Sequence, residues 1–303
     1  EQRYSTAMVE TYIAVRFPEY KVGFKHASVM DADKVVESYS PTVVVIMPVL
    51  EPLACAPSQL GGQDRSGYAR LVSRWSASYS QVRVLIVLPP ACPASTEERR
   101  QLVAAASMAR YTVLLEPEAG GPGYLSTPES HARVARQIID AWSLPAEVVH
   151  VEINAQANRS TTTPGTTVRE LAADEWVFWT QDDRTSSLPY ELLTIGFADL
   201  NQRRMKVVGL RHPQYRLTID GRDFGIYPRA AFDTGLDVGR AATPSSNRSS
   251  NVYRKVLERL KWWCEQQRSP KLVEPLPDDE ELVAAIVESA RPASHDFELQ
   301  PVN

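Results

Sequence analysis

Apolar positions in the first half of the chain form short, nearly continuous runs separated by stretches with helical spacing. Thr42–Met47 (TVVVIM) and Val82–Leu88 (VRVLIVL) are rich in β-branched residues, as is typical of strands buried on both faces of a parallel sheet. Strands that alternate with helices of about 10 to 15 residues indicate βαβ units with right-handed crossovers. The other predicted elements are helices at Ser5–Pro18, Ala32–Tyr39, Tyr68–Tyr79, Thr96–Arg110 and His131–Trp142, and strands at Tyr20–Phe24 and Tyr111–Leu115.

After Pro145 the apolar pattern changes to a period of two. Val149, Val151 and Ile153 alternate with polar residues, which predicts a strand with one buried face. Asp220-Gly221 is a hairpin-turn signal. Short strands separated by polar turns favour an antiparallel β-sandwich. The remaining predicted strands are Trp176–Thr180, Leu192–Phe197, Lys206–Leu210 and Tyr215–Ile219.

The last part of the chain is predicted to hold a long amphipathic helix, Asn251–Gln267. It carries Trp262 and Trp263, which as helix neighbours point about 100° apart, so one ring is an interface candidate. Docking of the helix onto the β-rich domain is the simpler alternative. Beyond it the chain is rich in Pro and acid, with one helix at Asp278–Ala290. We therefore predict an α/β domain at 1–145, a β-rich domain at 146–250, and a helix with a tail at 251–303.

Composition excludes several classes of protein. The 303 residues are 43% hydrophobic and 23% charged, which is ordinary for a globular chain. A net charge of -4 without a basic block argues against a nucleic-acid partner. The apolar runs are far shorter than the roughly 20 residues of a transmembrane helix. Three widely spaced cysteines predict neither a disulfide framework nor a metal knuckle. The sequence does not open with a charged and then apolar stretch, so we expect that any targeting segment either was removed or never existed. The compartment stays open, with an organellar or extracytoplasmic assembly among the options.

The segment Gly123–Trp142 (GYLSTPESHARVARQIIDAW) contains a polar turn, Pro128, His131 and an amphipathic helix. It resembles the closing block of the SGNH (GDSL-type) esterases and lipases. The resemblance implies a catalytic His just before the Pro and an Asp two to three residues earlier. Leu125 stands at the position of the His, and Pro122 or Gly123 at that of the Asp. A leucine cannot take a proton from a serine, so the block resembles a hydrolase motif without its base.

Two further stretches resemble a subgroup of the same family. The opening EQRYSTAMVETYIAVRFPE is similar to the helix that follows the nucleophile, and residues 210–244 are similar to a β-rich extension behind the hydrolase domain. The likeness covers most of residues 1–265. It implies a three-layer α/β/α, flavodoxin-like domain followed by a smaller β-sandwich-like domain. The family's first block, with a strand and the nucleophilic Ser, is missing from this sequence.

The blocks that should form the oxyanion hole are also altered. Lys25–Met30, which matches the second block, contains no Gly. In the third block, Val49 replaces a Gly and Glu51 replaces an Asn. A carboxylate there would repel an oxyanion. A hydrogen-bond donor at such a position would instead stabilise the transition state by roughly 2.7–4 kcal/mol. The resemblance therefore implies a pseudoenzyme.

Other groups with possible chemistry have ordinary explanations that we favour. A triad of His26, Ser28 and Asp31 rests on sequence proximity, whereas triads are recognised by geometry. Cys55 would need His26 or His131 as a base, and a plain thiol is expected.

The remaining polar signals are read in the same way. Asp182-Asp183 supplies too few ligands for a cation and is expected to be a solvated turn. Thr127 or Ser130 is expected to cap the helix that carries His131, a residue with a packing role. Sequons begin at Asn158 and Asn247 and matter only in a secreted chain.

We expect no catalytic residue, cofactor or metal, and we predict a structural or interaction subunit of a larger assembly. A parallel sheet that lacks its inner strand would expose backbone groups. Another polypeptide could donate a strand, other residues of this chain could fill the gap, or a preceding segment could supply it. Two alternatives stay open. One is an active esterase or acyl-carbohydrate hydrolase with its serine on another segment. The other is a carbohydrate-binding module using Trp176, Trp179 or Tyr190.

Overall fold

The computed structural model describes most of the chain in seventeen stretches and divides it into two compact units. The first unit comprises residues 1–10 and 23–144, and the second residues 11–22 and 145–303. The described residues are 4–18, 24–25, 32–47, 67–78, 82–88, 96–108, 112–116, 127–142, 147–157, 159–161, 166–172, 176–182, 187–239, 244–268, 279–289, 291 and 294–302.

The first unit contains a parallel sheet and helices in alternation. The strands lie side by side in chain order, β1 (Val43–Ile46), β2 (Arg83–Val87) and β3 (Thr112–Leu115). Its helices are α2 (Ala32–Tyr39), α3 (Gly67–Ser78), α4 (Thr96–Met108) and α5 (Pro128–Ala141); α1 (Tyr4–Arg16) begins in this unit and ends in the second. These bounds confirm the predicted alternation and the parallel pairing. The predicted strand Tyr20–Phe24 lies outside the described residues except for Phe24.

The core of the first unit lies between the sheet and its helices. Trp75 of α3 is buried, and its indole Nε1 donates to Asp33 Oδ1 of α2 at 2.9 Å. Arg74 forms an ion pair with the same carboxylate. Asp33 thus joins α2 to α3, and apolar residues fill the space beneath, among them Val36, Val72, Val84, Ile86 and Leu102.

The second unit is built around two sheets. The five-stranded sheet has the order β10-β9-β12-β7-β6 and the four-stranded sheet the order β11-β8-β4-β5. The strands are β4 (Glu147–Asn154), β5 (Arg159–Thr161), β6 (Thr166–Ala172), β7 (Trp176–Asp182), β8 (Gln202–Val208), β9 (Gln214–Ile219), β10 (Arg222–Pro228), β11 (Leu236–Asp237) and β12 (Ser294–Pro301). The helices are α6 (Tyr190–Leu192), α7 (Arg229–Thr234), α8 (Pro244–Arg268) and α9 (Asp279–Ser289), with a π-helical turn at Leu193–Phe197 and a 3-10 turn at Ala198–Leu200.

Buried side chains of both sheets form one core in the second unit. Trp179 of β7 and Phe297 of β12 stack with ring centroids 5.1 Å apart and planes 5° apart. Val151 and Met205 belong to the same cluster from the four-stranded sheet. The chain is thus a mixed α/β protein with one parallel sheet and one largely antiparallel sandwich.

Three sequence predictions for this unit were wrong. The sandwich is not purely antiparallel, because β4 and β8 run parallel, with Glu152 opposite Lys206. Leu192–Phe197 is helical rather than a strand, and Gly196, with φ of 111°, lies in its turn. The tail contains β12, which pairs with both β7 and β9 and so lies inside the five-stranded sheet.

The predicted hairpin turn at Asp220-Gly221 is present between β9 and β10. Both residues have positive φ, 50° for Asp220 and 74° for Gly221, as a tight primed turn requires. Within the part of the chain that the structure describes, no helix is long and apolar enough to cross a bilayer.

Candidate functional site

Thr127–Trp142 is the described part of the segment whose sequence resembles a hydrolase closing block, and it contains α5. Thr127 caps the helix, since its Oγ1 accepts from the Ser130 N–H at 3.2 Å. In return, Ser130 Oγ accepts from the Thr127 N–H at 3.3 Å, which completes a capping box. Pro128 fits the first turn because its nitrogen needs no hydrogen-bond partner there. Of the two predicted caps, Thr127 is therefore the one used, and the helix begins at Pro128, three residues before the predicted start at His131.

His131 lies one residue further along α5 and is almost fully buried, with 1% of its surface exposed. Its Nδ1 lies 2.9 Å from Ser5 Oγ of α1, and Ser5 is itself fully buried. The Tyr4 ring meets the imidazole edge-on at a centroid distance of 5.7 Å. This hydrogen bond joins the first turns of α1 to α5. Serine and histidine are the residue types of a catalytic dyad. Because both side chains are buried here, a substrate cannot reach them.

Most residues of the resembled catalytic blocks lie outside the described residues. This holds for Leu125 with its neighbours Pro122 and Gly123, and for the altered oxyanion positions Val49 and Glu51. It also holds for His26, Ser28, Asp31, Cys55, Asp183 and Asn158.

A second histidine pair, which the sequence analysis missed, lies in the five-stranded sheet. His295 of β12 is 1% exposed, and its Nδ1 lies 2.7 Å from Asp220 Oδ2. The other oxygen of this carboxylate accepts the Asp296 N–H at 2.9 Å, and the Asp220 N–H donates to the Asp296 carbonyl at 2.8 Å. These bonds fix the β9–β10 turn against the start of β12. The alternation of Ser294–Pro301 was the signal that could have found the pair.

A buried polar network links α8 to the four-stranded sheet. Arg203, which is 3% exposed, donates from Nη2 to Ser187 Oγ at 2.5 Å. Ser249 of α8 donates to the Ser187 carbonyl at 2.5 Å. Asn201 Nδ2 donates to the Gly239 carbonyl at 2.6 Å, and its Oδ1 accepts the Leu188 N–H at 3.1 Å. The network satisfies buried backbone groups, which assigns it to the scaffold.

Charged groups with shifted pKa values lie on the surface. Hydrogen bonds from His150 and Lys206 lower the pKa of Glu152 on the outer face of β4 and β8. Hydrogen bonds from Arg100 and Gln101 lower the pKa of Glu97 on α4 to about 2. Glu97 is exposed and Glu152 is half-buried, and each carboxylate forms an ion pair with a neighbouring basic side chain. Among the described residues no group of three or more His, Cys, Asp or Glu side chains has a metal-binding arrangement.

The aromatic residues considered for ligand binding have very different surroundings. Trp176 is 47% exposed and Tyr190 is 51% exposed, but Trp179 is fully buried in the sandwich core. The inclusion of Trp179 in a ligand surface was therefore wrong, because its ring stacks on Phe297. Trp262 of α8 is half-buried, and the side chain of Trp263 lies outside the described part.

Comparison with known proteins gives a likeness at the level of the fold. No family model matches the chain, and no curated protein matches it. The solved structure of BT4096, a gut microbial diltiazem-metabolizing enzyme, is similar with a TM-score of 0.67, covering 99% of this chain and 94% of that chain at 14% sequence identity. At this identity the likeness shows a shared fold.

Proposed function

We propose that the chain is an SGNH-hydrolase-like protein that has lost ester-cleaving chemistry and serves as a structural or interaction subunit. Its three-layer α/β/α arrangement and its β-rich extension are part of the same proposal, which rests on the sequence resemblance. The mixed α/β architecture is compatible with it. Fold alone does not fix function, so the proposal depends on the state of particular residues.

The observation that carries the proposal is the lack of a usable base in the closing block. Leu125 stands at the position of the catalytic His, and a hydrocarbon side chain accepts no proton. His131, the nearest imidazole along the chain, is 1% exposed and hydrogen-bonded to Ser5. To serve as a base it would have to leave this site, which would break the hydrogen bond and open the α1–α5 contact. His131 is therefore a poor replacement.

The altered oxyanion positions add independent support. An acyl-transfer site needs hydrogen-bond donors directed at the developing negative charge. Glu51 brings a carboxylate to a position where the family has an amide, and Val49 replaces a glycine. A serine supplied by any route would then face both a missing base and an unfavourable charge.

The partner we propose is a polypeptide that adds a strand to β1. Within the described residues β1 pairs only with β2, and Val43, Val44 and Val45 are half-buried, whereas β2 is buried from Val84 onward. Three adjacent valines suit a strand covered on both faces. An added strand would pair the second edge of β1 and bury these side chains. Trp262, half-buried on α8, is a further interface candidate.

The strand proposal is tested by amide hydrogen exchange of the purified chain. We expect the amides of β1 to exchange faster than those of β2, because one edge of β1 is unpaired in the described structure. Equal protection of both strands in a monodisperse, folded monomer would contradict the need for a partner.

The loss of chemistry is tested by turnover of p-nitrophenyl acetate, butyrate and octanoate. We expect the unmodified chain to hydrolyse these esters no faster than its His131→Asn variant. The reason is that the His131 imidazole is buried and hydrogen-bonded to Ser5, so it does not act as a base. Saturable hydrolysis by the unmodified chain would contradict the proposal.

An active esterase is the second candidate, and one observation favours it. The structural neighbour that spans nearly the whole chain is itself an enzyme. In this reading the serine comes from another segment and a displaced histidine acts as base. Saturable ester turnover that disappears on substitution of a single serine would establish it.

A further inference from the structure

The outer face of the five-stranded sheet carries an exposed aromatic ring, Trp176 of β7. Side chains alternate along this strand, so that Val177 and Trp179 are fully buried while Trp176 is 47% exposed. The core explains why β7 is apolar on its inner face and gives no reason for a tryptophan on the outer one. Indole is the largest side chain, and such exposure leaves a broad apolar surface in water.

Polar side chains stand beside this ring in a fixed arrangement. Leu299 pairs with Val177, and continuing the antiparallel register by one residue places Gln300 next to Trp176. Gln300 Nε2 donates to Glu298 Oε1 at 2.7 Å, and Glu298 lies opposite Phe178. Trp176 and Phe178 are two residues apart on one strand and therefore share this face. An amide–carboxylate pair thus runs alongside two aromatic side chains.

The same row of positions continues across the sheet. Gln300 pairs with Arg216 of β9, and Arg216 pairs with Ile226 of β10, which is 47% exposed. Four neighbouring strands spaced by about 4.8 Å give a row roughly 14 Å long from Trp176 to Ile226. The row has an apolar side chain at each end and hydrogen-bonding groups between them. Such a surface suits an extended ligand with both apolar and hydroxyl faces.

We propose that this row binds a neutral oligosaccharide. The indole of Trp176 packs against the C–H face of one pyranose, which supplies dispersion contacts. The Gln300 amide and the Glu298 carboxylate hydrogen-bond to its hydroxyl groups and are already held in place by their mutual bond. Arg216 pairs with Asp223 at 3.0 Å and Arg169 lies 4.0 Å from Asp296, so these charges largely balance. The Glu298 carboxylate, which hydrogen-bonds to Gln300 beside Trp176, is the local charge that disfavours an acidic sugar.

The site differs from the ligand surface predicted from the sequence. Of the three aromatic residues considered there, only Trp176 belongs to this row, since Trp179 is in the core and Tyr190 begins α6. The partners that make Trp176 a site lie on β12, a strand that the sequence analysis did not predict. The proposal does not depend on whether the chain is an active hydrolase.

Binding is tested by isothermal titration of the full chain with cellohexaose, xylohexaose and mannohexaose, and with hexagalacturonic acid as the acidic comparison. At least one neutral hexasaccharide is expected to bind more tightly than the acid. Trp176→Ala is expected to lower that affinity at least tenfold, and Trp176→Phe, which keeps a ring, by less. The matched control is Tyr190→Ala, because Tyr190 is 51% exposed but lies off the row, and it should change the affinity by less than twofold.

A second measurement keeps the test independent of folding. The indole N–H resonance of Trp176, assigned with the Trp176→Phe variant, should shift on addition of the neutral ligand. Far-ultraviolet circular dichroism should be the same for all variants, since the ring is on the surface. Lack of binding by every neutral hexasaccharide, tighter binding of the acid, or unchanged affinity of a folded Trp176→Ala variant would overturn the proposal.

Discussion

At the scale of single residues, Gly239 shows how tightly the second unit is built. A Cβ at this position would lie 1.8 Å from the Asn201 carbonyl oxygen and 3.1 Å from the Arg203 nitrogen. The Gly239 N–H also donates to Asp237 Oδ1 at 2.9 Å, so the backbone cannot easily move away. We expect Gly239→Ala to lower the free energy of unfolding by about 3 kcal/mol, measured by urea denaturation.

Gly221→Ala is the control for this substitution. Gly221 has φ of 74° and open space around its Cα, so that only the left-handed backbone penalises a side chain. The expected loss is about 1 kcal/mol. If both variants lost the same free energy of unfolding, the backbone of Asn201 would not approach Gly239 as closely as described.

The Asp220–His295 pair gives a second test at residue scale. The carboxylate accepts hydrogen bonds from the Asp296 N–H and from a buried imidazole, and hydrogen bonds to charged groups contribute about 1.5–3 kcal/mol. We expect Asp220→Ala to destabilise the chain by about 2 kcal/mol in thermal and urea unfolding. Asp220→Asn should lose less, because Asn tolerates positive φ and keeps an acceptor. An Ala variant as stable as the parent would contradict the role of the pair.

Residue-scale prediction from sequence succeeded where local chemistry decides the structure. The cap at Thr127 and Ser130 and the turn at Asp220-Gly221 depend on neighbours within three residues. The contact of Ser5 with His131 joins residues 126 positions apart, and no local pattern encodes it. Long-range pairs of this kind are fixed by the packing of helices, which the sequence does not display.

At the scale of elements, β12 is the strand whose loss should matter most. It lies between β7 and β9, and its Phe297 is 4% exposed and stacked on Trp179. We expect Phe297→Ala to lower the free energy of unfolding by about 3–4 kcal/mol, measured by denaturant titration. Ser294→Ala, at the exposed start of the same strand, should change it by less than about 0.5 kcal/mol. An unchanged free energy of unfolding for Phe297→Ala would show that β12 does not contribute to the core.

The parallel pair of β4 and β8 is linked by a charge pair that predicts a pH effect. Hydrogen bonds from His150 and Lys206 lower the pKa of Glu152 in the folded state below its ordinary value of 4.5. The stabilisation is therefore present above pH 4.5 and is lost as the pH falls through the folded-state pKa. Because these side chains are partly exposed, its size should be below about 1 kcal/mol.

Glu152→Gln tests this pH effect through unfolding curves at several pH values. The variant should be less stable than the parent at pH 7, and the difference should shrink towards acid. A cycle with Lys206→Met isolates the pair, and the coupling should vanish at low pH. A stability difference between the parent and Glu152→Gln that grows as the pH falls would contradict a lowered pKa of Glu152 in the folded state.

Element prediction failed for identifiable physical reasons. The tail residues Ser294–Pro301 alternate buried and exposed side chains, yet they follow a Pro- and acid-rich stretch whose composition suggested no strand. Leu192, Leu193 and Phe197 are apolar and buried, and a short apolar run does not distinguish a strand from a helical turn. The parallel direction of β4 and β8 depends on chain connections and not on periodicity.

At the scale of the whole molecule, the α/β fold and the proposed loss of ester-cleaving chemistry depend on different residues. The βαβ half was predicted because buried parallel strands leave continuous β-branched runs in the sequence. The row proposed to bind an oligosaccharide was not predicted from the sequence. It combines Trp176 of β7 with side chains of β12, a strand that the sequence analysis did not predict. The proposal of an inactive hydrolase rests on single positions such as Leu125, where a hydrocarbon side chain accepts no proton.

The most direct measurement is intact-mass spectrometry of the folded chain after incubation with a fluorophosphonate, beside an active serine hydrolase. This probe modifies only a serine that a nearby base has activated. We predict the unmodified mass for this chain under conditions in which the reference hydrolase is fully labelled. A stoichiometric adduct on one serine, absent after denaturation before labelling, would contradict the loss of ester-cleaving chemistry.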